Sequence, residues 1–111
     1  MPTMNIYTDR GRVEALASIL PGLGEYAAKE LSCGDITLAS NEVSLRVIVP
    51  DASLRIADTE IDMSAYSFPD RVARQDEICL SIKEYVEREC PDAGSVYVWL
   101  QLDELGHSAK E

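Results

Sequence analysis

Positive charge is scarce in this chain: 10 lysines and arginines stand against 20 aspartates and glutamates, a net charge of −10 over 111 residues. Nucleic-acid partners need a basic stripe to neutralise phosphates, and the sequence offers none. The same deficit argues against an anionic membrane surface. Long hydrophobic runs are missing too. None approaches the roughly 20 residues of a bilayer span, and the N-terminus lacks the basic-then-apolar pattern of a secretory signal. Cysteine is sparse: Cys33, Cys79 and Cys90 are odd in number and form no close pair, which reads as reduced thiols in a cytoplasm. The single histidine, His107, lies in a Gly-Ser-Ala tail, so no metal site is expected. Its isolation also removes Ser-His-Asp and Cys-His catalysis.

What is present fits one soluble domain spanning residues 1–111, with 46% hydrophobic and 27% charged residues. A chain this short buries its surface with only moderate efficiency, so an extra apolar face calls for a second copy. The run Thr3–Thr8 alternates and is rich in β-formers, hence a strand. From Arg12 to Leu31, Val13, Leu16, Leu20, Leu23, Ala27 and Leu31 recur at helical spacing. Pro21 and Gly22 interrupt that run, which predicts a short helix, a kink and a longer piece, with Gly34 as a candidate C-cap. Val43–Val49 reads as a second strand and Glu60–Phe68 as a third. A second helix starts at Pro69-Asp70 with the stripe Val72, Ile78, Cys79, Ile82, Tyr85 and Val86. Val96–Leu102 is the fourth strand.

The two halves echo one another, Glu25-Tyr26 against Glu84-Tyr85, each followed by a glycine and a β run. The reading is an α+β fold of two βαβ units, a four-stranded sheet with both helices on one face. Strand parity divides the sheet's side chains. Met4, Ile6, Val43, Leu45, Val47, Val49, Ile61, Met63, Ala65, Val96, Val98, Leu100 and Leu102 suit the helix layer. The opposite set holds five of the seven aromatic residues: Tyr7, Tyr66, Phe68, Tyr97 and Trp99. Such a patch is larger than soluble monomers leave in water, so it reads as a subunit interface with Arg46 at its margin.

Gly22-Leu23-Gly24 follows a helix rather than a strand and lacks the third glycine of a dinucleotide fingerprint. The acidic helix residues Glu77, Glu84, Glu87 and Glu89 read as a solvated face paired locally with Lys83 and Arg88. What remains is Pro2. Removal of Met1 would leave a secondary amine at the head of a strand, able to act as a general base near neutral pH if its pKa falls from about 8. Desolvation and nearby cations both push it down, and Arg12 and Arg46 are the cations nearest in this reading.

With Pro2, the first strand, Gly11-Arg12 and Leu45-Arg46-Val47-Ile48-Val49, the sequence resembles the tautomerase superfamily. Leu20-Pro21-Gly22-Leu23, Ala57-Asp58 and Leu100-Gln101-Leu102-Asp103-Glu104-Leu105 resemble the 5-carboxymethyl-2-hydroxymuconate isomerase family more closely. The resemblance implies a homotrimer with sheets facing inward and isomerase chemistry without cofactor or metal, on a small carboxylate substrate of aromatic catabolism. Pro2 would shuttle the proton, and Arg12 and Arg46 would hold carboxylates and developing negative charge. Ile48, Tyr97 and Trp99, chosen by parity, would form an apolar wall around the amine. The family has a longer tail after the last strand than this chain, which stops at Glu111. A retained Met1, or a start at Met4, would remove the basic nitrogen. The alternatives are decarboxylation or hydration by the same proline, and a non-catalytic oligomeric or ferredoxin-like ligand-binding module.

Overall fold

In the computed structural model, residues 2–34 and 36–104 are described; His107 lies outside them. The order of elements is the expected one. Strand β1 (Thr3–Tyr7) is followed by helix α1 (Val13–Leu31), strands β2 (Ser44–Ile48) and β3 (Thr59–Tyr66), helices α2 (Pro69–Ala73) and α3 (Gln75–Glu89), and strand β4 (Val96–Asp103). The sheet runs β2-β1-β3-β4. β1 is parallel to β2 and β3 to β4, while β1 and β3 meet antiparallel at the centre. Each half is thus an intact βαβ unit whose two strands are direct neighbours. This excludes the ferredoxin-like alternative, in which another strand splits each unit.

Period-2 patterning sorts the sheet as the sequence implies. Met4, Ile6, Val43, Ile61, Met63, Ala65, Val96 and Leu100 are buried with Leu16, Leu23, Ala27, Leu31, Ile78, Ile82 and Val86 of the helices. The echo between the halves is realised physically. Tyr26 of α1 and Tyr85 of α3 stack with ring centroids 4.5 Å apart.

Three local expectations are corrected. α1 runs unbroken through Pro21. Its buried face, Leu16, Leu23, Ala27 and Leu31, stays in register on the sheet, and Pro21 falls on the exposed side. Gly22 serves packing instead, since a Cβ there would lie 2.5 Å from the Tyr85 hydroxyl. Gly34 does not cap α1. Ser32 closes that helix, its hydroxyl donating to the Ala28 carbonyl at 2.8 Å, while Gly34, at φ +53°, sits in the turn joining Cys33 to Ile36. The second helix is broken at Arg74 into α2 and α3. That break rotates Val72 out of the stripe and leaves it exposed, whereas Ile78, Ile82 and Val86 are fully buried.

All three cysteines are free thiols. Burial pushes the Cys79 and Cys90 thiols above the ordinary range. Among the described residues, no helix is long and apolar enough to cross a membrane.

Candidate functional site

The face of the sheet away from the helices is an ordered grid, because four strands in register bring side chains of equal parity into rows. One row is Ser44, Thr3, Ser64 and Gln101. The next is Arg46, Asn5, Asp62 and Trp99, and the third is Ile48, Tyr7, Glu60 and Tyr97. Polar contacts tie the columns: Thr3 and Ser64 hydroxyls are 2.7 Å apart, and Arg46 Nη1 donates to Asn5 Oδ1 at 3.0 Å. Aromatic side chains crowd the β3–β4 half. Tyr97 and Trp99 meet edge to face with centroids 5.6 Å apart, and the rings of Tyr66 and Phe68 are tilted against each other at 4.9 Å. Tyr66, Tyr97 and Trp99 are 42%, 49% and 44% exposed, more than isolated surface aromatics need. Beside them a trough of about 660 Å³ is lined by Tyr7, Glu60, Asp62, Trp99 and Gln101, and passes over the β4 edge to Gln75.

Pro2 heads β1 and is buried. Its carbonyl accepts the Ser44 N–H at 3.0 Å, and its parity matches Met4 and Ile6, the helix-layer side. Arg46, Ile48, Tyr97 and Trp99 share the opposite face. The proline and the four grid residues therefore lie on different sides of the sheet within one protomer.

Arg12 lies farther off. From Pro2 to Thr8 the strand advances six residues, about 20 Å, and Arg12 follows that far end. There it is held by a cluster drawn from three segments. It pairs with Asp9, donates through Nε to the Asp92 carbonyl at 3.1 Å, and approaches Asp58 at 3.8 Å. Arg55 reaches the same Asp9 carboxylate at 3.6 Å. Asp58 Oδ2 accepts the Ser95 N–H at 3.0 Å and the Ser95 hydroxyl at 3.2 Å. These two hydrogen bonds, then the Arg12 charge, hold the Asp58 carboxyl below its usual value.

Sequence reasoning missed this cluster because its partners are up to 80 residues apart. It also missed Glu60, whose carboxylate accepts the N–H groups of Ile56 and Ala57 at 2.7 and 3.3 Å and shapes the loop before β3. Arg71 is a third omission. It is buried, donating to the Leu31 and Tyr66 carbonyls at 2.9 Å each. The available signal was its position in the first turn of a helix, where a cation is disfavoured.

No protein-family model matches the chain, and no curated protein matches it. Solved structures do. A fused 4-OT wild-type asymmetric trimer matches with a TM-score of 0.70 at 17% identity, covering 97% of this chain and 94% of that one. Malonate semialdehyde decarboxylase matches at 0.65 and 14%, over 98% and 91% of the two chains. A macrophage migration inhibitory factor-like protein from Entamoeba histolytica matches at 0.61 and 12%, over 99% and 93%. The chain therefore has the fold of the tautomerase superfamily.

Proposed function

We propose that this chain is a cofactor-independent isomerase of small unsaturated 2-hydroxy (di)carboxylic acids, of the 5-carboxymethyl-2-hydroxymuconate isomerase type, with Pro2 as its general base after removal of Met1. The observation that carries this reading is a buried proline at the head of β1 in a tautomerase fold. The amine takes the proton of the dienol 2-hydroxyl, giving a prolinium and a dienolate. The electron pair moves along the conjugated system, and a distant carbon takes the proton back. The 2-oxo acid leaves, and the proline returns to its neutral form.

The dienolate and the carboxylates need cations, and Arg46 and Arg12 are assigned that role. Arg46 is suited to it: exposed, mid-strand and held in place by Asn5. Pro2 and Arg12 stand about 20 Å of strand apart, a span beyond one small acid. Both serve the same substrate only when neighbouring copies contribute them. The exposed grid of Tyr66, Tyr97 and Trp99 gives those copies a surface to share, so the active form is assigned as a homotrimer. Ile48, Tyr97 and Trp99 then supply apolar walls at the boundary between copies. A second reading, decarboxylation or hydration by the same proline, has the malonate semialdehyde decarboxylase likeness in its favour.

Intact-mass analysis combined with ultraviolet assays of 2-hydroxymuconate ketonisation and of malonate semialdehyde turnover tests both readings. Loss of Met1 with ketonisation is the expected result. Turnover of the semialdehyde alone would select the second reading. A chain that keeps Met1 and turns over neither acid would refute both.

A further inference from the structure

Arg71 is the one buried charged side chain among the described residues, 2% exposed. None of the ion pairs among those residues includes it. Its guanidinium is fixed by two backbone carbonyls, Leu31 at the end of α1 and Tyr66 at the end of β3, and lies 4.9 Å from the centre of the Phe68 ring. The negative end of the α1 dipole explains how the charge is tolerated.

The hydrogen-bond pattern of β3 says where that charge sits. Thr59 and Ser67 both donate across to the β4 side, to Ser95 and Asp103. Successive residues of a strand point their N–H and C=O groups to alternate sides, so Tyr66 presents its carbonyl towards β1. The register Thr3↔Ser64 is antiparallel, which brings the end of β3 alongside the start of β1. Arg71 Nη1 donates to that carbonyl at 2.9 Å, which brings the guanidinium to the head of β1. The spacing of strands and residues puts the guanidinium within about 8 Å of the Pro2 nitrogen.

We propose that Arg71 is a positioning residue of the proline site: its fixed positive charge disfavours a second one on Pro2 and keeps the amine neutral near pH 7. This rests on Pro2 being a free base, as proposed above. At about 8 Å and an effective dielectric of ~20–40, the repulsion lowers the ammonium pKa by about one unit. Burial lowers the pKa of Arg71 itself, against an opposing contribution from the Cys33 thiol, but a guanidinium remains charged throughout. The other groups at this end are Cys33 after α1, Asp70 on α2, Asp103 on β4 opposite Tyr66, Glu42 before β2, which bonds the Ala39 N–H, and Arg74, which donates to the Glu30 carbonyl at 3.2 Å and has its charge paired with Glu30 and Glu77. The carboxylates among them favour the prolinium, so Arg71 is the group that opposes it. Arg12 and Arg46, at the far end and on the opposite face, do not take this part within the protomer.

The test is an NMR titration of the Pro2 amine in ¹⁵N-proline-labelled protein, Met1 being removed with an aminopeptidase where the cell leaves it. The wild-type amine is expected to titrate at least about one unit below the ordinary value of about 8. Arg71→Lys should keep that value, and Arg71→Gln should raise it by about one unit. The acid limb of any pH–rate profile should move with it. A wild-type amine titrating at about 8 would overturn the proposal without any variant, even if Arg71→Gln does not fold. An unchanged value in folded Arg71→Gln would overturn it equally. No substrate enters the titration. A depressed amine pKa in a chain that turns over no acid would keep this inference and remove the proposed activity.

Discussion

Gly94 is where the fold is least tolerant of a single methyl group. Its backbone is at φ +72° and ψ −144°, a region that residues with a side chain avoid at a cost of about 1–3 kcal/mol. Space is also lacking. A Cβ built on Gly94 would lie 2.4 Å from Asp58 Oδ2 and 2.8 Å from Asp58 Cβ. Because the Asp58 Cβ is anchored to the backbone, rotating the carboxylate away does not relieve the overlap. Asp58 also carries the Ser95 hydrogen bonds and the Arg12 contact, so Gly94→Ala pulls at the whole cluster. The expected loss is about 1–3 kcal/mol from the backbone alone, and the overlap with Asp58 adds to it. With a urea slope of about 1–3 kcal/mol per molar, the midpoint should fall by about 1 M or more. Gly22→Ala is the control. Its Cβ meets only the hydroxyl end of Tyr85 at 2.5 Å, and alanine gains about 1 kcal/mol of helix propensity. Equilibrium urea unfolding of both variants at one protein concentration gives the answer. A Gly94→Ala midpoint within about 0.3 M of wild type would refute the reasoning, since it would mean a shift far below the strain expected.

Arg46→Ala should raise KM at least about tenfold while changing kcat less, as loss of a carboxylate contact does; steady-state kinetics with a normal KM would remove Arg46 from the site. Trp99→Asp places a charge in the middle row of the open face and should shift the protein towards monomer in sedimentation velocity, and an unchanged oligomer would place the subunit contact elsewhere. Asp58 has a folded pKa below its ordinary 3.8, so its stabilising contribution is complete above that value and is lost as pH falls through the folded pKa. Urea midpoints at pH 6 and pH 3 should therefore differ more in wild type than in Asp58→Asn, and equal differences would dissociate Asp58 from acid stability.

The parts of this molecule that a reader could take from the sequence are those governed by short periods. Alternation along Val43–Val49 and Val96–Leu102 separates the two faces of the sheet, and the spacing of Leu16, Leu23, Ala27 and Leu31 identifies the buried side of α1. The aromatic character of the open face follows from the same parity. Local rules failed where packing overrode them. Pro21 is accommodated because its neighbours keep their grip on the sheet, and the break at Arg74 comes with no glycine or proline to announce it. The strand order was out of reach, since pairing β1 between β2 and β3 is a matter of long-range contacts.

The candidate site was partly legible in the same sense. Pro2, the base proposed above, is picked out by a local feature, its place directly after Met1. Arg12 looked close to it, ten residues along, yet a strand intervenes and carries it to the other end of the sheet. Arg71, nearly seventy residues away, is the buried cation held at the end of β3, the strand that pairs with β1. A helix-first-turn arginine is a faint cue, and only the pairing of β1 with β3 makes sense of it.

Every step of the proposed reaction runs through the Pro2 nitrogen, and ketonisation of 2-hydroxymuconate by Met1-free protein, wild type against Pro2→Ala, tests that directly. Replacing the secondary amine by a primary one of different basicity and geometry should cut kcat at least about a hundredfold, the lower range for loss of a general base, with the fold intact by circular dichroism. Equal rates in the two proteins would contradict the account.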